Sequence, residues 1–594
     1  MGRVPIGRME RNAEARYSDR ELGRRISERL LPERRSVIGL GALTLLRSLL
    51  NVLSPLLISH SIDRAVVQPT AAAVLVLSTA IAVAGVADWL ADYFYRRLRW
   101  RMVANAVLDL RRDLFAAAVH QDMRFHDRAA TGDLVTQVTS DTRSFGQVVE
   151  LVSNALSSAL MTVTLTIVLF IIDWQLALLA MLIVPFIVLV ALGLRHLSRP
   201  AAVRERKMRA VIGQSIAQAI AGIGVAKVFR QEQALYDTFS QVNEQSYRVD
   251  LRRGLVVESV FPAFFALRAL VTTAMVYAGG LAVLGGRISA GTWYLFIRAL
   301  GSYVDPLIEL ASFWRRFQDG LASCEHIFAL LDTPRDVVQV EDCPVPQLRG
   351  EIAFRHVHFC YRPGEDVLTD FSLSVPAGQT LAFVGHTGAG KSSLARLIAR
   401  FYEFQEGDLL IDGQDIRSFD LSQYRRQIGL VPQSPFLFAG TLLDNVRYGV
   451  PNATEEEALA AVRRIGQGDW LADLPAGLET QVGERGGNLS MGQRQLVALT
   501  RVLIHDPAIL VLDEATASVD PYTEAQIQEG LEEVFRDRTS IIIAHRLSTV
   551  KNADRIVVLE QGAILEEGTH EELMAHGGHY ADLYERYFRY QEWE

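Results

Sequence analysis

Residues 385–392 read Gly-His-Thr-Gly-Ala-Gly-Lys-Ser, which matches the spacing G-x-x-x-x-G-K-[ST]. The apolar run 381–384 precedes them and a helix-patterned stretch, 394–400, follows, so the motif falls where a strand gives way to a helix. Glycines at such a turn let backbone N–H groups close around an anion, and the helix N-terminus adds a favourable dipole. The chemistry this suits is the holding of nucleotide phosphates. Lys391 would reach the β- and γ-phosphates, and the Ser392 hydroxyl would ligate Mg²⁺.

Three further places carry residues of a suitable kind. Ala508-Ile-Leu-Val-Leu-Asp513-Glu514 is an apolar strand ending in two acids. Asp513 would hold Mg²⁺, directly or through water, and Glu514 would polarise an attacking water as general base; the same pair would serve equally to cap the next helix. Ser540-Ile-Ile-Ile-Ala-His545 ends another buried strand in a histidine, which suits a γ-phosphate contact or a structural role. Tyr361, ahead of the first hairpin, would stack on adenine or sit in a core.

The elements that position these residues divide the chain in two. The overall composition, 49% apolar and 22% charged, is close to the globular average, but the average conceals a boundary. Residues 37–320 hold long apolar stretches and read as a transmembrane domain. Residues 321–348 form a linker, with prolines at 334, 344 and 346, and residues 349–594 pattern as an α/β domain. The leader, 1–36, is rich in Arg and Glu; 19–35 is either an amphipathic helix on the membrane surface or a solvated charged stretch. No short apolar core with a small-residue cleavage site follows it, which speaks against a cleaved signal peptide. The net charge of −8 makes no case for nucleic acid. Cys324, Cys343 and Cys360 have no metal-ligand or C-x-x-C spacing and read as free thiols in a reducing compartment.

Crossing the hydrocarbon takes about 20 apolar residues. Six segments qualify, at about 37–59, 71–95, 147–171, 175–196, 256–282 and 291–314. Short links join the first to the second, the third to the fourth and the fifth to the sixth. The other two connections are long, helix-patterned and full of arginine, which places them and both termini in the cytoplasm. Each long connection has a break in its pattern, at 125–132 and 229–237, read as a short transverse helix or a plain turn.

Taken together these residues resemble the ATP-binding cassette transporters, in the exporter-type arrangement that fuses a membrane and a nucleotide domain. The resemblance covers nearly the whole chain after the leader. It implies a six-span α-helical membrane domain and an α/β P-loop domain with an antiparallel β subdomain and a helical subdomain. Tyr361 is similar to the family's adenine-stacking tyrosine, and 385–392 to its Walker A loop, with Gly385, Thr387, Gly388, Ala389, Gly390, Lys391, Ser392 and Ser393 about the nucleotide. Gln433 resembles the Q-loop glutamine, Leu489-Ser-Met-Gly-Gln493 the signature, Val511-Leu-Asp-Glu514 Walker B, Ser518-Val-Asp520 the D-loop and His545 the switch histidine. ATP and Mg²⁺ are the implied cofactors. The implied catalytic set is Glu514, His545, Gln433 and Lys391, and the metal set Ser392, Gln433 and Asp513. Ser490, Gly492, Gln493 and Asp520 would complete the nucleotide site of a second half-transporter chain, since each site is closed by the other chain's signature. Met491 departs from the family's Leu-Ser-Gly-Gly-Gln, which favours a heterodimer with unequal sites over a homodimer.

Arg47, Arg268, Arg298, Asp305 and Glu309 fall at membrane depth, where a charge costs roughly 2.5–3.5 kcal/mol on insertion scales. They would line a translocation cavity or pair between helices. The expected function is ATP-driven export of amphipathic small molecules, drugs or lipids from the cell membrane. An exporter-shaped importer is the alternative, and a soluble cassette ATPase is opposed by the six spans.

Overall fold

The computed structural model describes residues 17–67, 70–337, 339–341, 343–513, 520–544 and 547–585; the side chains of 183, 186–188, 190–203, 206, 256–257, 260–261, 264, 302–312, 314–315 and 547–548 are not among what it describes. The chain forms two compact units, Met1–His120 with Thr131–Thr333, and Gln121–Ala130 with Pro334–Glu594.

The first unit is helical throughout its described length. Helix α1 (Asp19–Leu30) is capped by the Ser18 hydroxyl, which accepts from the Glu21 N–H at 3.2 Å. Helices α2 (Arg34–Val67) and α3 (Ala71–Val119) follow. At 49 residues α3 is about 73 Å long, far more than the hydrocarbon needs. After α4 (Met123–Arg128), which belongs to the second unit, come α5 (Thr131–Thr136), a π-helical turn at Gln137–Asp141 and α6 (Thr142–Ile172). Then come α7 (Trp174–Met181), α8 (Ile183–Ala221), α9 (Ile223–Val228), α10 (Glu232–Glu258), α11 (Val260–Leu284) and α12 (Ala290–Leu331).

All six apolar segments lie on these helices. Among the described residues, four stretches are long and apolar enough to cross a membrane: Asp19–Val67, Ala71–Val119, Thr131–Ile172 and Phe265–Leu284. Two of the expected continuous spans are broken, at Leu182 and Ser259. Each break lies three residues before a proline. Pro185 and Pro262 have no N–H to give the carbonyls of Met181 and Glu258, the last residues of α7 and α10. The first break in the long connections is a short helix, α4. The second is a turn at 229–231, with α9 immediately before it. Residues 321–331, read as linker, are the last turns of α12.

Helix contacts in this unit are partly polar. Ser48 Oγ donates to Thr164 Oγ1 at 2.8 Å, tying α2 to α6. The Asp63 carboxylate at the end of α2 accepts from Ser289 Oγ at 2.6 Å and the Gly291 N–H at 2.7 Å, so it neutralises the N-terminus of α12. A Cβ at Gly291 would lie 1.9 Å from the Ser59 carbonyl oxygen, so this approach admits only glycine.

The second unit has two sheets. An antiparallel sheet runs β2-β1-β4-β5, from β1 (Ile352–Cys360), β2 (Asp366–Val375), β4 (Glu406–Ile411) and β5 (Gln414–Asp415). The larger sheet runs β10-β9-β3-β8-β7-β6 and includes β3 (Thr380–Val384), β6 (Ile428–Val431), β7 (Ile509–Asp513), β8 (Thr539–Ile543), β9 (Arg555–Glu560) and β10 (Ala563–Gly568). Its β9-β3-β8-β7-β6 core is parallel. Alternate residues of the central strands enter different cores. Ala382, Val384, Leu510, Leu512 and Ile542 join one, and Leu381, Phe383, Ile509, Val511, Ile541 and Ile543 the other. Both faces are thus covered, which is why these strands read as unbroken apolar runs.

Candidate nucleotide site

Strand β3 ends at Val384, and the glycine-rich loop leads straight into α13 (Lys391–Ile398). Two glycines make the turn possible. Gly385 has φ 152°, and a Cβ there would stand 2.2 Å from the Leu559 carbonyl oxygen. Gly390 caps α13 in the left-handed region at φ 102°. Lys391 is 6% exposed, and its Nζ donates to the Gly385 carbonyl at 2.6 Å and the His386 carbonyl at 3.0 Å. Burial pulls its pKa down from the ordinary lysine value, an effect the Asp513 carboxylate partly offsets. The amine is therefore held inside the loop that would surround the phosphates. Thr387, Gly388 and Ser392 are exposed, while Ala389 and Ser393 are buried.

Asp513 closes β7 in register with Ile543 of β8, and Gln433 stands exposed two residues past the end of β6. Loop, Asp513 and Gln433 therefore share the carboxyl edge of the parallel strands, the usual place for a ligand in an open α/β sheet. Ser392, Asp513 and Gln433 offer hard oxygen donors with room for water and phosphate oxygens, which fits Mg²⁺. Glu514 and His545 lie outside the described residues.

Tyr361 follows β1 directly. Its hydroxyl is 3.0 Å from Ser393 Oγ and accepts from Arg396 Nη1 at 3.2 Å, so it rests against α13, the helix that follows the phosphate loop. Its ring meets Phe359 and Tyr402 edge to face, with centroids 4.8 and 5.0 Å away. Tyr361 is thus both core aromatic and neighbour of the loop. Tyr402, Arg396 and the α4 residues that touch this corner carry no motif, and sequence reasoning missed them; only the fold brings them together.

The signature residues open a separate helix, Met491–His505. Ser490 Oγ accepts from the Gln493 N–H at 3.1 Å, and Gln493 Oε1 accepts from the Ser490 N–H at 2.9 Å, a reciprocal capping box. Gly492 is buried and Met491 is 36% exposed. Asp520 caps the Pro521–Phe535 helix by accepting from the Thr523 N–H at 2.9 Å, and these backbone bonds hold its pKa below the ordinary carboxylate value.

The polar residues of the membrane unit separate by behaviour. Arg47 Nη2 is 2.7 Å from Asp92 Oδ1, and its guanidinium lies 4.8 Å from the Tyr95 ring centroid, so α2 and α3 share a structural ion pair. For Arg47, pairing between helices is what the structure contains. Arg268 and Arg298 are exposed, and among the described residues neither has an ion-pair partner. Asp305 and Glu309 lie on α12, with side chains outside the described set.

Residues 37–304 match the ABC transporter transmembrane region, and residues 368–517 match the ABC transporter nucleotide domain. The chain is 34% identical over 500 residues to the ATP-dependent lipid A-core flippase of Syntrophus aciditrophicus, spanning 84% of this chain and 83% of that one. It is 35% identical over 525 residues to the fatty acid ABC transporter ATP-binding/permease protein of Mycobacterium bovis, spanning 88% and 82%. Among solved structures, a bacterial Atm1-family ABC exporter with ATP bound superposes with a TM-score of 0.76 at 28% identity, covering 93% of this chain and 98% of that one. With the phosphate loop, the parallel sheet and the helical membrane unit in one polypeptide, the chain belongs to the ABC transporters of exporter type, ATP-hydrolysing membrane proteins with fused membrane and nucleotide-binding domains.

Proposed function

We propose that this transporter moves an anionic amphipathic lipid from the cytoplasmic leaflet outward, using Mg-ATP hydrolysed between two nucleotide domains. The observation that carries the substrate reading is the contrast among the arginines. Arg47 is neutralised by Asp92, whereas Arg268 and Arg298, on α11 and α12, are exposed and unpaired among the described residues. A guanidinium at membrane depth is costly to leave uncompensated, and a lipid phosphate or carboxylate offsets that cost when bound. The relatives named for lipid A core and for fatty acids carry anionic amphiphiles, which supports the same class here. Asp305 and Glu309, on the same helix as Arg298, would tune the cavity's charge.

In this reading Lys391 and His545 attend the γ-phosphate, Ser392, Gln433 and Asp513 hold Mg²⁺, and Glu514 activates water. Ser490, Gly492 and Gln493 face the nucleotide of a second chain. Met491 in that signature supports a heterodimer with unequal sites.

The test is flipping of a fluorescent anionic phospholipid by the purified transporter in proteoliposomes. Arg268→Gln with Arg298→Gln should cut flipping and lipid-stimulated ATPase by at least about tenfold, the worth of one charge-assisted pair, with basal ATPase retained. An unchanged lipid profile refutes the recognition role. The same preparation tests pairing, because full ATPase activity from the chain expressed alone removes the heterodimer.

A further inference from the structure

Tyr402 is 6% exposed and stands perpendicular to Tyr361, at an interplanar angle of 88°. Its hydroxyl donates to the Asp127 carboxylate of α4. Arg124 of the same short helix donates through Nη2 to the Tyr361 carbonyl at 2.8 Å, and its Nη1 is 3.3 Å from the Asp336 carboxylate. Asp122, which precedes α4, accepts the backbone N–H groups of Asp336 and Val337 at 2.5 and 2.9 Å. Helix α4 is therefore bonded to the backbone of Tyr361, to the ring that supports Tyr361 and to the segment that leads into β1. Arg396 lies 5.8 Å from one ring centroid and 5.9 Å from the other, which completes the corner.

We propose that Asp127 and Arg124 are positioning residues for the adenine end of the nucleotide: Asp127 through the Tyr402 ring, and Arg124 through the Tyr361 carbonyl, fix the pose of Tyr361. The inference rests on the reading of Tyr361 as the surface on which the base stacks. Edge-to-face pairs are directional, so the pose of Tyr361, held also by Ser393, Arg396 and Phe359, shifts when Tyr402 turns. A change at Asp127 leaves the buried Tyr402 hydroxyl without its acceptor, and the ring must turn to find another. At the phosphate end Lys391 Nζ is bonded within the loop itself, to the carbonyls of Gly385 and His386. Base affinity should therefore fall while phosphate affinity stays. By linkage, base occupancy strengthens the hold on α4 by the same factor. Since α4 lies between α3 and α6 in the chain, the base end of the site answers to a segment joining two spans.

The experiment is equilibrium binding of Mg-ATP and of inorganic tripolyphosphate to the full-length transporter in nanodiscs. Asp127→Ala, Tyr402→Phe and Arg124→Gln should each weaken ATP by about 3- to 10-fold and leave tripolyphosphate within about 1.5-fold. The Asp127→Ala/Tyr402→Phe double variant should lose no more than either single change, because both break the same bond. Equal weakening of both ligands would make α4 a general scaffold and overturn the proposal, as would no weakening of ATP. Tyr361→Ala separates the two readings. If it too spares ATP selectivity, the stacking role of Tyr361 fails; if it alone is selective, only the role of α4 fails.

Discussion

Gly385 and Gly388 of the phosphate loop differ in what forbids a side chain, and that difference is measurable. At Gly385 a Cβ meets the Leu559 carbonyl at 2.2 Å in a backbone region few side chains adopt. At Gly388 φ is 91°, but nothing lies within 4 Å of the added carbon. Gly388→Ala should therefore cost only the conformational strain, on the order of 1–3 kcal/mol. Gly385→Ala must in addition displace β9, so it should melt at a lower temperature than Gly388→Ala. Calorimetry of both variants checks the order, and the reverse order would mean β9 yields freely. This loop was legible in the sequence because its glycines and lysine are specified by the anion they surround. Tyr402 was not, because its role comes from the ring beside it and a carboxylate 275 positions away in the chain.

Helices were legible where an apolar run exceeds the bilayer, and their interruptions at Leu182 and Ser259 were readable in principle from Pro185 and Pro262. Pro55 shows why proline alone does not suffice, since α2 continues through it. The π-helical turn at Gln137–Asp141 had no compositional sign, being a change of hydrogen-bond register. That turn offers a pH test. His326 Nδ1 on α12 lies 3.4 Å from Asp141 Oδ2, and this hydrogen bond, together with the negative charges of Asp141, Glu325 and Asp133, raises the His326 pKa above its ordinary value of 6.5. A raised histidine stabilises the fold fully below its unfolded pKa, and the contribution is lost as pH rises through the folded value. The melting-temperature advantage of the wild type over His326→Gln should thus be largest near about pH 6 and shrink toward about pH 8. It should also be modest, since the His326 side chain is 64% exposed and screened by water. An advantage that grows with pH would show that His326 acts as a neutral group.

At the scale of the whole molecule charge supports one orientation in the membrane. The connections that hold α4 and α9 carry most of the arginines of the membrane region, while the short links hold few, chiefly Arg64 and Arg287. Arg287 is moreover 3.3 Å from Asp173, so the two short links that hold them are joined by an ion pair of their own. We propose on this ground that the long connections face the cytoplasm, with the nucleotide domain on the same side. The native cysteines supply an internal control. Cys324 is fully buried, whereas Cys343 and Cys360 are partly exposed within the nucleotide unit. Thr70 is exposed in the first short link and makes no side-chain cap bond to α3; Gln231 is exposed in the second long connection. Thr70→Cys should therefore react with a membrane-impermeant maleimide in intact cells. Gln231→Cys and the native Cys343 and Cys360 should react only after permeabilisation. Labelling of Gln231→Cys in intact cells would place the arginine-rich connections outside, and with them a nucleotide domain cut off from its ATP.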